Sequence, residues 1–174
     1  NDFLSFVKCV WPDFVEGSHH RHIAEKFNQL ATGEINRLII NMPPRHTKSE
    51  FASYLLPAWM VGRDSKLKII QATHTAELAI RFGRKAKNLI DSDDYRKIFK
   101  TKLQEDSKAA GRWETSDGGE YYAAGVGGAI TGRGADLLII DDPHSEQDAL
   151  SKASLERAYE WYTSGPRQRL QPGG

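Results

Sequence analysis

Residues 37–50 read RLIINMPPRHTKSE, and residues 132–143 read GRGADLLIIDDP. In each, an apolar run suited to a buried strand leads into a short polar stretch. The first run meets a turn built on Pro43 and Pro44, and a Lys-Ser pair follows at a predicted helix start. The second delivers two adjacent carboxylates, Asp141 and Asp142. The strand-loop-helix order, with a later strand ending in Asp-Asp, predicts an α/β domain of the P-loop NTPase (ASCE/RecA-like) type. Its central sheet is expected to be mostly parallel and flanked by helices, with ligands beyond the carboxyl ends of the strands.

The chemistry of the first stretch rests on donors. A phosphate-binding loop needs backbone N–H groups converging ahead of a helix N-terminus, plus a lysine. Pro44 stiffens the approach, and Arg45, His46, Thr47, Lys48 and Ser49 supply amides. Lys48 is the candidate phosphate lysine and Ser49 the candidate magnesium hydroxyl. The pattern G-x-x-x-x-G-K-[ST] is not met: Met42 and Thr47 stand where it has glycines. Thr47 is the sharper departure, because β-branching restricts the backbone where freedom and close approach are wanted. An ordinary strand-turn-helix with a capping serine is the alternative. In the second stretch, a hard cation would take one carboxylate and the other would orient or activate water. Alternatively, Asp141-Asp142-Pro143 is a strand-ending turn.

The rest of the chain fits this frame. It has 174 residues, 39% hydrophobic and 27% charged, as expected of one globular domain. The net charge of +1 gives no global argument for nucleic acid, so any contact must come from a local patch. Arg81, Arg84, Lys85 and Lys87 form such a set, which reads as a solvated helix face or a DNA-backbone contact. A single cysteine, Cys9, excludes an internal disulfide. No apolar run approaches the ~18 residues of a membrane span. His19, His20 and His22 share a helix without a matching set of acidic or thiol ligands.

Helices are expected at 3–11, 19–31, 47–61, 75–90, 94–100 and 147–163. Pro57 should kink or end the third, and Thr75 should cap the fourth. In the last, Leu150, Leu155, Ala158, Trp161 and Tyr162 should be partly buried. Strands are expected at 37–42, 66–72 and 137–141, and a hairpin at 112–124 turns on Asp117-Gly118-Gly119. Residues 101–111 read as polar and mobile, and 125–134 as a glycine-rich loop.

INRLIINMPPRHTKSE, GGEYYAAGVGGAITGRGADLLIIDDP and AYEWYTSGPRQRLQPGG together resemble the ATPase domain of the large terminase subunit, the DNA-packaging motor of tailed bacteriophages. The resemblance spans nearly the whole chain. It implies ATP and Mg2+ as cofactors, with Lys48 and Ser49 on phosphate and magnesium and Asp141 as the magnesium carboxylate. Asp142 would stand where a catalytic Glu is common, with Glu146 as a substitute. Arg45 would act from within the phosphate loop, and Arg133 would reach a neighbouring subunit's ATP. His19 would lie near the adenine.

The implied partners are double-stranded DNA, further copies in a ring, the portal protein and the small terminase subunit, with no membrane. The setting would be the cytoplasm of an infected bacterial host. Residues 1–174 are expected to be a single ATPase domain cut before the coupling-motif strand and lacking the nuclease domain. A helicase-like ATPase and a nucleotide-binding-deficient assembly domain are the alternatives.

Overall fold

The computed structural model describes residues 2–130 and 132–174; Asn1 and Thr131, the latter within the glycine-rich stretch, lie outside them. Helix α1 (Phe3–Val10) is capped by Asp2, whose carboxylate accepts from the Ser5 N–H. Helix α2 (Ser18–Ala31) stops before Gly33, which takes a φ of 73°. Helical turns begin at Lys48, widen to a π-helical segment over Glu50–Leu55, and continue as α3 (Leu56–Arg63). Pro57 neither ends nor breaks this run. It falls at the first positions of α3, where the preceding wide turns absorb its missing N–H.

Strand β1 (Lys68–Thr73) follows, then α4 (Ala76–Ile90), capped by the Thr75 hydroxyl, and α5 (Asp93–Ile98), capped by Ser92. Strands β2 (Leu103–Ala109), β3 (Arg112–Thr115), β4 (Glu120–Gly125) and β5 (Leu137–Ile140) complete the sheet. A short 3-10 turn, α6 (Lys152–Ser164) and a second 3-10 turn end the chain.

The fold is α/β, with a five-stranded mixed sheet in the order β2-β3-β4-β1-β5. β1 is central among the parallel strands and pairs with β4 on one side and β5 on the other. β2, β3 and β4 run antiparallel, which corrects the expectation of a mostly parallel sheet. The extra strand is β2, read from sequence as mobile. Its polar composition suits an edge strand anchored by buried Leu103.

The sharpest correction is at 37–42, which is not a strand and is not buried. The segment carries neither helix nor ladder pairing, and Ile39 is 85% exposed. Among the described residues, β5 pairs only with β1, so its outer edge is left unpaired and this apolar run does not add to it. Leu150 and Leu155 are also exposed rather than partly buried, at 90% and 39%.

The main core lies on one face of the sheet. Phe3, Phe6, Phe27, Phe51 and Trp59 bring α1, α2 and α3 together there, with Phe3 edge-on to Phe27, Phe51 and Trp59. The other face is thinner, built on Ile70, Ala124, Ile130 and Ala135 with Trp161 of α6 against them.

Helix α4 rides close to the sheet at Gly83. The Gly83 carbonyl accepts from Trp113 Nε1 at 3.1 Å, and Trp113 stacks on Tyr121 with ring centroids 4.9 Å apart. A Cβ at Gly83 would sit 2.5 Å from the Ala110 carbonyl oxygen and 2.6 Å from the Tyr121 ring. Neither neighbour can yield, because one is backbone and the other is fully buried. Gly83→Ala is therefore expected to lower the unfolding free energy by about 1–3 kcal/mol, read from the urea midpoint at constant m-value.

Candidate functional site

Parallel pairing brings the carboxyl ends of β1 and β5 to one edge of the sheet. The pairing continues past the strands, with Asp141 N–H donating to Ala72 O and His74 N–H to Asp142 O. Asp141 is thus fixed at the strand end, only 6% exposed, and Asp142 follows with a φ of 44°. The helix beginning at Lys48 faces this edge.

Lys48 Nζ lies 2.5 Å from Asp142 Oδ1 and 3.3 Å from Asp141 Oδ1. These contacts join residues more than ninety positions apart. The second Asp141 oxygen accepts from the fully buried Ser53 hydroxyl at 2.8 Å. Burial disfavours the Lys48 charge, but the hydrogen bond it donates to Asp142 and the two carboxylate charges outweigh it, holding the pKa above the ordinary lysine value. Lys48 is therefore a cation held by two anions, one buried and one exposed.

The 43–49 loop is conformationally unusual. Arg45 and Thr47 take φ values of 62° and 63°. With Asp142 they are the non-glycine residues of positive φ among the described residues, and all three fall at this one place. A β-branched residue in the left-handed region is an outlier, and such positions cost roughly 1–3 kcal/mol unless their surroundings enforce them.

The enforcement comes from α2. His20 is 6% exposed between Phe14 and Phe51, with ring centroids 4.8 and 5.0 Å away. Its Nδ1 accepts from Gly17 N–H at 2.8 Å, and its Nε2 lies 2.7 Å from Thr47 Oγ1. Thr47 Oγ1 in turn donates to His46 O at 2.6 Å, and His46 Nδ1 donates to Pro44 O at 2.9 Å. His19 sits beside His20 and faces His46 across 6.0 Å.

Lys48, Asp141 and Asp142 thus converge, and His19, His46 and Thr47 border them on the α2 side. Pro44, Arg45 and His46 are exposed on the loop, and Ser49 is half-buried beside Lys48. Ser53, not Ser49, is the hydroxyl on Asp141.

Arg133 and Glu146 are not brought in. Arg133 pairs with Glu120 at the start of β4 and stacks on Tyr122, at the opposite end of the strands from Asp141. Glu146 is exposed in the turn after β5. Of the basic set on α4, Lys85 is engaged by Glu50 and Tyr54, while Arg81 and Arg84 are exposed.

Sequence reasoning missed Ser53 and the particular role of His20. Only the spacing of Ser53 four residues after Ser49 hinted that it too could face the carboxylates. A cavity of about 860 Å³ opens beside the cluster, between the 35–41 segment, β5 and α6, with Lys48, Asp141 and Asp142 on its wall. No group of three or more His, Cys, Asp or Glu side chains suited to a metal occurs among the described residues. The chain matches no protein-family profile, and no curated protein sequence is significantly similar to it.

Burial, reinforced by the adjacent His19, holds the His20 pKa below the ordinary histidine value, with Glu16 opposing. The folded state therefore takes up this proton less readily than the unfolded chain. Stability tied to neutral His20 is complete above about pH 6.5 and declines as pH falls below it. The urea midpoint is expected to drop between about pH 7.5 and about pH 5.5. His20→Phe, which cannot titrate, should flatten the dependence in that window.

Proposed function

We propose that this chain is the ATP-binding and ATP-hydrolysing motor domain of a viral terminase large subunit, which drives double-stranded DNA into a procapsid. The observation that carries this reading is the Lys48 ammonium held against Asp141 and Asp142 at the start of a helix that follows a left-handed loop. It joins the two motifs of the sequence at one point in space.

In this reading the 43–49 segment is a P-loop and the site takes ATP with magnesium. The donor set fits. Backbone N–H groups of Arg45 to Ser49 and the Lys48 ammonium suit phosphate oxygens. The Ser49 hydroxyl and the Asp141 carboxylate are hard oxygen ligands suited to Mg2+. Bound magnesium would neutralise charge on the phosphates and on the transferred group.

The protein's own residues divide the remaining work. Lys48 leaves the exposed Asp142 and turns to phosphate. Asp142, freed of its cation, accepts a hydrogen bond from water and orients or deprotonates it. Asp141 stays in place because Ser53 holds its other oxygen. His19 lies on the side of the loop suited to the base. Arg45 remains exposed and able to approach phosphate. Arg133, at the far end of β4, would act on a neighbouring copy in the ring after release from Glu120.

Lys48→Ala is expected to abolish binding of MgATP in calorimetric titration, because it removes the charge-assisted contact to phosphate. Binding with unchanged affinity would rule out the P-loop assignment. Asp141→Asn should weaken the magnesium-dependent part of binding, while Asp142→Asn retains binding and stops hydrolysis in an assembled motor. Equal loss of binding in both variants would show that the carboxylates do not divide the roles in this way.

A further inference from the structure

We infer that His20 is a positioning residue that clamps Thr47 in its left-handed conformation, and that the His20–Thr47 pair replaces the conformational freedom a glycine would supply in this loop. The argument begins with proton positions. Gly17 N–H can only donate, so the His20 Nδ1 that faces it at 2.8 Å is unprotonated. The ring proton of neutral His20 is then on Nε2, which points at Thr47 Oγ1 at 2.7 Å. The His46 carbonyl, 2.6 Å from the same hydroxyl, can only accept, so Thr47 spends its one proton there and receives the histidine's. Every donor meets one acceptor from α2 to the loop. The chain of bonds requires a hydroxyl at position 47 and a neutral imidazole at position 20.

Three further features fit a clamp. The ring is wedged between Phe14 and Phe51, so it does not follow loop motion. Phe51 N–H donates to Thr47 O at 2.9 Å, so the same residue that packs on His20 also ties down the backbone of residue 47. Thr47 immediately precedes Lys48, so its backbone torsion sets the direction in which the lysine leaves the loop. A threonine at φ 63° without these bonds would relax to an ordinary conformation and carry Lys48 away from Asp141 and Asp142. The charged and titratable groups around the ring are His19 and Glu16, with His46 beyond His19.

The clamp itself does not depend on what the loop binds; its consequence for affinity rests on the phosphate-loop reading above. The test is a double-mutant cycle on the full chain with two readouts. The first needs no ligand. Long-range 1H–15N correlation should find His20 as the Nε2–H tautomer, and exchange of the Phe51 amide, which donates to Thr47 O, should accelerate about tenfold or more in His20→Phe. His20→Phe keeps a ring between Phe14 and Phe51, and His20→Ala serves if the larger ring disturbs the fold. The second readout is calorimetric titration with MgATP. His20→Phe should weaken binding about tenfold. In the Thr47→Gly background the same change should alter binding by less than about twofold, since glycine adopts the left-handed torsion unaided.

Unchanged exchange in both His20 variants, or the Nδ1–H tautomer, overturns the clamp. So does an equal loss of MgATP binding on the threonine and glycine backgrounds. If exchange responds as expected while no form of the protein binds MgATP, the clamp stands and the phosphate-loop reading falls.

Discussion

The structure at the candidate site depends on one cation between two anions. Lys48 Nζ reaches Asp141 and Asp142 across the gap between the helical run that it begins and the last strand of the sheet. Asp141 is buried at the strand end, and its carboxylate is met by Lys48 and the Ser53 hydroxyl, both on the helical run that starts at Lys48. A buried carboxylate that loses its counter-ion keeps its desolvation penalty, so removing either partner costs far more than an exposed pair would. The orientation of this helix and the end of β5 are therefore mutually determined. The parallel β1–β5 register supplies the other half of the constraint by fixing where Asp141 leaves the sheet.

Around that contact the backbone departs from ordinary conformations. Arg45, Thr47 and Asp142 all adopt left-handed torsions, and none is a glycine. Asp tolerates this better than most residues, whereas threonine tolerates it poorly. Strain of this kind persists only where the surroundings over-determine it. Here they do so through separate bonds: His74 N–H to the Asp142 carbonyl, His20 to the Thr47 hydroxyl, and Phe51 N–H to the Thr47 carbonyl. The strained positions are where side chains and amides of different elements must meet, which suits a site better than a turn chosen for chain reversal alone.

Local signals in the sequence were reliable and long-range ones were not. Asp117-Gly118-Gly119 fixed the β3–β4 hairpin, Thr75 capped α4, and the aliphatic run before Asp141 formed β5, because each depends on near neighbours. Lys48, Asp141 and Asp142 could be singled out because charge at the end of an apolar run is locally visible. By contrast, RLIINM has the composition of a buried strand, but it makes no ladder with the open edge of β5, and composition alone does not say whether a run will pair. β2 was hidden for the opposite reason, since an edge strand held by Leu103 and β3 needs little apolar content. Ser53 was hinted at only by its spacing from Ser49, and its contact with Asp141 falls within the wide helical turns that composition does not announce. Arg133 sat close to Asp141 in sequence, yet the loop returns it to Glu120 at the far end of β4.

The failure of 37–42 to join the sheet changes how the site must be held. In a loop fed by a paired strand, the strand itself anchors the approach to the lysine. Here the approach is unpaired and partly exposed, so the loop is positioned from its other contacts. Those contacts differ in kind. Lys48–Asp142 is charged and its carboxylate is exposed, so a competing anion can replace it at small desolvation cost. His20–Thr47 is neutral on the histidine side and packed between aromatic rings, and an anion has no charge there to compete for. One contact is built to exchange and the other to stay. A ligand that draws Lys48 off Asp142 therefore changes the lysine's partner without releasing the backbone that aims it.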